Sequence, residues 1–293
     1  MSQPLDPAVV VALDRAGLRV RACRRISNIR SPQTGRAVYR IDLDSGRTIK
    51  ARRLQDEETA YRLFEIRRDL PDAFARAFAW HGAVLLEDWI EGEALGDVPP
   101  SDAHLVDAAS LLAHLHAKPA AAGHALHEVH ATAPWREEAE RCLREILAPG
   151  GLNGEDAIVL RGVLERLDPR RAIYGLAHRD FCGENMVVDR AGRLRVIDNE
   201  RIGIDALGFD LARTWYRWTL PPETWECFRS AYAVRMPFAE PLETLGFWSI
   251  IAVVKSAALR LRMDQARAQV PLDRLRRMAV EFDDRRRSYR GRW

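Results

Sequence analysis

His178-Arg179-Asp180-Phe181-Cys182-Gly183-Glu184-Asn185, with Ile197-Asp198-Asn199-Glu200 following it, is the stretch whose reading decides the fold. Between the two clusters, Asn185 to Val188 and Leu194 to Ile197 read as two strands joined by Asp189-Arg190-Ala191-Gly192. A hairpin brings its open ends together, so Asn185 and Asp198 are expected to be neighbours. Two hard oxygen donors meeting there suit magnesium, which takes one or two carboxylates and completes its shell with phosphate and water. Asp180, a few residues upstream, can accept the proton of an attacking hydroxyl.

Outward from this centre, the chain divides by character. Before it, Leu18 to Ile26 reads as a strand and Ser27 to Arg36 as a polar loop. Ala37 to Leu43 and Thr48 to Leu54 read as a hairpin turning at Asp44-Ser45-Gly46. Asp56 caps a helix to Arg68, and Ala83 to Leu86 marks another strand. From Ser101 onward helices dominate, with Leu105, Ala108, Leu112 and Leu115 at helical spacing. The expected organisation is α+β: a small sheet-rich part over residues 1–90 and a larger helical part over 91–293 carrying the one hairpin.

Composition narrows the class. A hydrophobic share of 47% supports a sizeable core, and 45 basic against 42 acidic residues give a net charge of only +3. That balance gives no case for a nucleic-acid or membrane partner. Only Lys50, Lys118 and Lys255 are lysines, so arginine is the default cation and a lysine in a chemical position is informative. Four dispersed cysteines fit neither a zinc site nor a disulfide scaffold, and the expected compartment is the cytoplasm. The opening segment reads as a helix with Asp6 as cap and Pro7 at its first position. The apolar run from Phe247 is broken by Lys255 and reads as a buried helix.

Asp180 with Asn185 five residues on resembles the catalytic loop of the protein-kinase fold. Asp198 with Glu200 resembles the Asp-x-Glu metal motif of the aminoglycoside phosphotransferase and choline kinase superfamily. Leu111 to His116, Leu85 to Gly92 and Asp210-Leu211-Ala212 resemble that superfamily's post-connector helix, connector and buried aspartate. The resemblance implies a bilobal protein-kinase-like fold, with a β-rich nucleotide-binding lobe and a helical catalytic lobe. It implies Asp180 as the catalytic aspartate, Asn185 and Asp198 as magnesium ligands, and ATP or GTP as donor. It also implies Lys50 on the third strand as the phosphate-binding lysine. The paired helix carboxylate is taken as Glu58, with Glu57 and Glu65 as rivals. Adenine is expected against the connector near Glu87 to Trp89, Trp89 serving either there or as a core aromatic.

The pattern departs in three places. The loop over the phosphates should be glycine-rich, yet Ser27 to Arg36 holds only Gly35, with Pro32 inside it. It offers Ser27, Asn28, Ser31 and Thr34 instead. Arg179 stands where small-molecule members more often have glycine, and its expected partner is an acidic side chain. Asn199 stands where an aromatic is common. The acceptor is expected against Arg213, Trp215, Arg217, Trp218, Glu223 and Trp225, although the two tryptophans at helical spacing suit a core equally. The basic Arg213–Arg217 cluster suits an anionic, sugar-like or neutral acceptor at least as well as a cationic aminoglycoside. The leading reading is an ATP- and magnesium-dependent kinase for a small-molecule hydroxyl, on a sugar-like compound, amino alcohol or antibiotic. A protein or lipid kinase and a catalytically silent nucleotide-binding module are the alternatives.

Overall fold

The computed structural model describes residues 5–26, 37–97, 100–118, 128–147 and 151–290. In chain order, helix α1 (Pro7–Arg15) precedes strands β1 (Val20–Arg25), β2 (Ala37–Leu43) and β3 (Thr48–Arg53). Helix α2 (Glu57–Arg68), β4 (Ala77–His81), β5 (Val84–Asp88), β6 (Gly92–Ala94) and α3 (Asp102–Ala117) follow. Then come β7 (Glu128–Ala131), α4 (Ala133–Leu147), α5 (Gly154–Leu167), β8 (Arg171–Ala177), β9 (Met186–Asp189) and β10 (Leu194–Val196). The chain ends with β11 (Gly203–Ala206), α6 (Leu207–Arg217), α7 (Pro222–Arg235), α8 (Glu240–Glu243), α9 (Leu245–Met263) and α10 (Gln265–Arg290). The expected phosphate-covering loop, Ser27 to Arg36, lies outside the described residues.

Two compact units emerge. The first runs to Leu111 and also takes in Cys182–Gly203. The unit thus reaches past the cut expected at residue 90 and includes the hairpin, and backbone pairing explains why. Strand β9 pairs with β6 through Ala94 and Val187, and Val196 of β10 exchanges hydrogen bonds with Ala73 and Ala75 at 2.7 and 3.0 Å. The hairpin therefore belongs physically to the strands that precede it.

The first unit is built on an antiparallel sheet ordered β1-β2-β3-β5-β4. Alternation along β2 sends Ala37, Tyr39, Ile41 and Leu43 inward. They pack with Ile49, Ala51, Val84 and Leu86 against Val9, Ala12 and Leu13 of α1. Helix α1 starts as the sequence suggests: the Asp6 carboxylate accepts the Ala8 N–H at 2.9 Å, and Pro7 opens the helix. The turn after β2 needs Gly46, whose φ is +82°. Helix α2, capped by Asp56, covers the sheet through Ala60 and Leu63.

The second unit holds the three-stranded sheet β11-β8-β7 and the helices from α4 onward. Its core gathers Leu143, Ile146, Leu160, Phe247, Trp248, Ile251 and Leu275. Residues Phe247 to Val254 of α9 are all buried, as an all-round apolar helix requires. No described helix is long and apolar enough to cross a membrane. Lys255, which interrupts the run, pairs with Glu138 at 2.6 Å over the Trp135 ring. Helix α6 lies so close to α9 that a Cβ on Gly208 would stand 2.4 Å from the Trp248 ring. Gly208→Ala should therefore destabilise the protein by about 1–3 kcal/mol, read as a lower midpoint in urea unfolding. An unchanged midpoint would show that α6 and α9 separate without cost.

Candidate active site

The first unit concentrates six charges at one end of β3 and β5. Register places Lys50 of β3 opposite Glu87 of β5, so their side chains share a face. The ammonium of Lys50 lies 2.8 Å from the Glu87 carboxylate and donates to Ile197 O at 3.1 Å. Lys50 is thus paired by a neighbouring strand and not by Glu58, which is exposed on α2. Glu57 is exposed as well, and Glu65 pairs with Arg68. What α2 sends inward is a cation: Arg67, 2.6 Å from Glu87, donates also to Ala75 O at 2.9 Å.

Arg52, two residues beyond Lys50 and on the same face of β3, extends the cluster. It lies 3.9 Å from Glu87, donates to Asp198 at 2.9 Å and contacts Glu200. Lys50, Arg52 and Arg67 thus face Glu87, Asp198 and Glu200, a balanced set. Balance is what makes burial tolerable, because an unpaired charge here would be very costly. Burial alone would raise the Glu87 pKa; Arg67, Lys50 and Arg52 outweigh it and bring the carboxyl to about 2. Burial likewise opposes ionisation of Asp198, but Arg52 and Lys50 hold its carboxyl below the usual range. Burial lowers the Lys50 ammonium, with Glu87 acting against it.

Asn185 ends a short turn, Gly183–Asn185, ahead of β9. Its carbonyl accepts the Ile197 N–H at 3.0 Å, continuing the hairpin register Val196–Met186 by one step. Asn185 and Asp198 therefore leave adjacent ends of the two strands. No cluster of three or more His, Cys, Asp or Glu fit for a metal occurs among the described residues. One ionised aspartate and one amide oxygen is the donor set of a cation that also takes phosphate and water oxygens, which fits magnesium. Beside this cluster lies a cleft of about 380 Å³ lined by Lys50, Ile197, Val187, Ala75 and the connector Asp88 to Gly92. Trp89 is half-buried and lines it, with the Arg40 guanidinium 5.0 Å above its ring. The side chain of Glu87 faces the charge cluster, and the neighbouring Asp88 N–H is already donated to Arg76 O at 2.9 Å.

In the second unit, Asp180 sits on the loop after β8. Asp210 of α6 clamps that loop: its oxygens accept the N–H groups of His178 and Arg179, each at 2.7 Å. His116 Nε2 lies 3.0 Å from the same carboxylate, and His116 Nδ1 is 2.7 Å from the Tyr232 hydroxyl. The clamp holds Arg179 at φ +65°, a conformation costing on the order of 1–3 kcal/mol for a residue with a side chain. Arg179 pairs with Asp205 at 2.9 Å, the acidic partner the sequence called for. His178 is buried and packs edge-on against Phe181, and Asn199, in the other unit, is buried and donates to Val196 O. Asp180 itself is approached by two guanidiniums of α6, Arg217 at 3.2 Å and Arg213 at 3.4 Å, both on Oδ1.

Asp210 offers a pH test. Burial would raise its pKa, but His116 and His178, with the loop amides, hold it below the usual carboxylate range. A depressed folded-state pKa adds stability that is present above about pH 4 and lost as pH falls through the folded value. Asp210→Asn should flatten that acid limb and cost about 1–3 kcal/mol at neutral pH, because its amide would face a backbone N–H. Melting curves across pH 2–7 would check this, an unaltered acid limb counting against the clamp.

Arg52 and Arg67 were not singled out from sequence. The Lys50-x-Arg52 spacing on a strand was a usable signal for Arg52. Arg67 had none, being one of several arginines on a polar helix.

No curated protein matches the sequence. Among solved structures, choline kinase from Cryptosporidium parvum Iowa II aligns with a TM-score of 0.63 at 13% identity, covering 90% of each chain. Macrolide 2'-phosphotransferase MphH from Brachybacterium faecium aligns with a TM-score of 0.63 at 17% identity, covering 92% of this chain and 98% of that one. Choline kinase LicA from Streptococcus pneumoniae aligns with a TM-score of 0.62 at 14% identity, covering 93% and 98%. Identities this low speak for the fold, which is protein-kinase-like. The model of the phosphotransferase enzyme family matches residues 25–239, most of the chain, and the chain belongs to that family.

Proposed function

We propose that the protein transfers the terminal phosphoryl group of ATP or GTP, with magnesium, to a hydroxyl group of a small molecule. The observation that carries this reading is the joining of Lys50 and Asp198, through Arg52, in one partly buried charge cluster beside the connector cleft. Lys50, held by Glu87, would bind the α- and β-phosphates, and Trp89 with the connector backbone would border the base. Asn185 and Asp198 would hold magnesium, whose charge would neutralise that developing on the phosphates. Asp180 would take the proton of the acceptor hydroxyl as its oxygen bonds to phosphorus and the bond to the nucleoside diphosphate breaks. A related structure of the same fold, LicA, is described in complex with AMP, which supports a nucleotide ligand. The division of labour that follows is a nucleotide-binding part up to about residue 90, joined by the hairpin, and a catalytic and acceptor-binding remainder.

The grip of Arg52 on Asp198 and Glu200 favours a second reading, a catalytically silent nucleotide-binding module. A mass-spectrometric screen of small alcohols with ATP and magnesium separates the two. The kinase reading expects one class of alcohol to gain phosphate only when magnesium is present, and Asp180→Ala to abolish the gain. Nucleotide binding that ignores magnesium, with no alcohol modified and no ATP hydrolysed, would select the silent module.

A further inference from the structure

We infer that the acceptor of this phosphotransferase carries an anionic oxygen group, a carboxylate or phosphate, close to its reacting hydroxyl and bound by Arg213 and Arg217. The inference rests on the reading of Asp180 as the base that takes the acceptor proton. A small acceptor whose hydroxyl bonds Asp180 brings its neighbouring groups close to the two guanidiniums that meet Asp180 Oδ1. Arg213 and Arg217 lie four residues apart on α6, so they share a face of the helix. Both meet a single oxygen of Asp180, at 3.4 and 3.2 Å, so the two cations converge on one point.

They are also placed to receive a ligand. Their side chains are about a quarter exposed, at 27% and 29%. The Arg213 contact, made by one guanidinium nitrogen at 3.4 Å, is not the short, two-pronged ion pair that arginine and carboxylate form when they satisfy each other. Arg213 Nε is buried and has no hydrogen-bond partner among the described residues. A buried donor left open beside a catalytic carboxylate calls for an acceptor atom that arrives with a ligand. An anionic oxygen group would supply it, and the guanidinium forks match its planar or tetrahedral oxygens. A cationic acceptor such as a choline-like or aminoglycoside amine would meet like charge at the same point.

The test pairs acceptors that differ in charge. D-glycerate, gluconate and glycerol 3-phosphate are compared with glycerol and glucose, and with choline and kanamycin. Turnover is followed with ATP and magnesium, and binding of each probe is followed by calorimetry without nucleotide. The wild type should prefer an anionic member over its uncharged counterpart by about tenfold or more in kcat/KM and in affinity. Arg213→Gln with Arg217→Gln should erase that preference, mostly through KM, while binding of ADP stays as in the wild type. The lysine pair, Arg213→Lys with Arg217→Lys, keeps the charge without the fork and should retain part of the preference. It also serves if the glutamine pair fails to fold. Equal or better use of uncharged or cationic probes, or a preference surviving in the glutamine pair, would overturn the inference. Anion binding that depends on the arginines, with no probe phosphorylated, would support the anion site and sink the phosphotransferase reading alone.

Discussion

Glu87→Ala is expected to cost the fold about 3–5 kcal/mol, the effect of leaving buried cations without their shared carboxylate. The three cations in question are Lys50 at 2.8 Å, Arg67 at 2.6 Å and Arg52 at 3.9 Å, and Glu87 is itself fully buried. Glu87→Gln, which keeps the volume and removes the charge, should lose most of the same stability, since electrostatics and not packing sets the size. The pH dependence carries the same signature. A carboxyl near 2 in the folded state, against 4.5 when exposed, contributes about 3 kcal/mol above pH 4.5. That contribution is withdrawn as pH falls from 4.5 toward 2, so the wild type should weaken steeply there and Glu87→Gln should weaken less. Urea unfolding at pH 7 and at pH 3 measures both. A Glu87→Gln protein as stable as the wild type at pH 7 would mean that the cluster carries no net weight.

Asp180→Asn is expected to lower kcat by about 10²- to 10⁴-fold on whichever acceptor the screen identifies, the range for losing a positioned proton acceptor. Its stability should stay within about 1 kcal/mol of the wild type, because Arg213 and Arg217 are partly exposed and solvent screens the carboxylate they lose. The KM for nucleotide should stay as it is, since the residue is assigned to the acceptor. Steady-state kinetics beside a thermal melt tests all three statements. A loss below about tenfold in a well-folded variant would remove Asp180 from the chemistry and return it to a loop-packing role.

Much of this was legible because the signals were local. The β2–β3 hairpin announces itself through alternation and a Gly46 that the turn requires, and its strand bounds came out nearly as read. The spacing of Asp180, Asn185 and Asp198 places a loop and a hairpin in a recognisable order, and the Asn185–Ile197 hydrogen bond shows the hairpin closing as expected. Partner choice was less legible. Helix α2 carries three acids, and spacing alone cannot say which of its charged residues reaches the cluster; the one that does is Arg67, beside Ala60 and Leu63 on the buried face. Glu87 was within reach of a register argument, but a strand glutamate next to a connector reads first as a connector residue. Strands β7 and β8 escaped notice for opposite reasons. Glu128–Ala131 is exposed throughout, and Arg171–Ala177 runs to continuous burial, so neither alternates. Packing of α6 around Asp180 is a tertiary fact, and the sequence could only list Arg213 and Arg217 among candidates.

Where a kinase lysine is held by a glutamate on a helix, swinging that helix in or out turns the enzyme on or off. Here Lys50 is held from the adjacent strand, across a ladder of main-chain hydrogen bonds that cannot be loosened without unravelling the sheet. Displacing α2 would strip Arg67 from the cluster yet leave Lys50 and Glu87 facing each other. The Lys50–Glu87 pair is in this respect hard-wired into the sheet: its geometry is set by strand register and stands independently of where α2 lies.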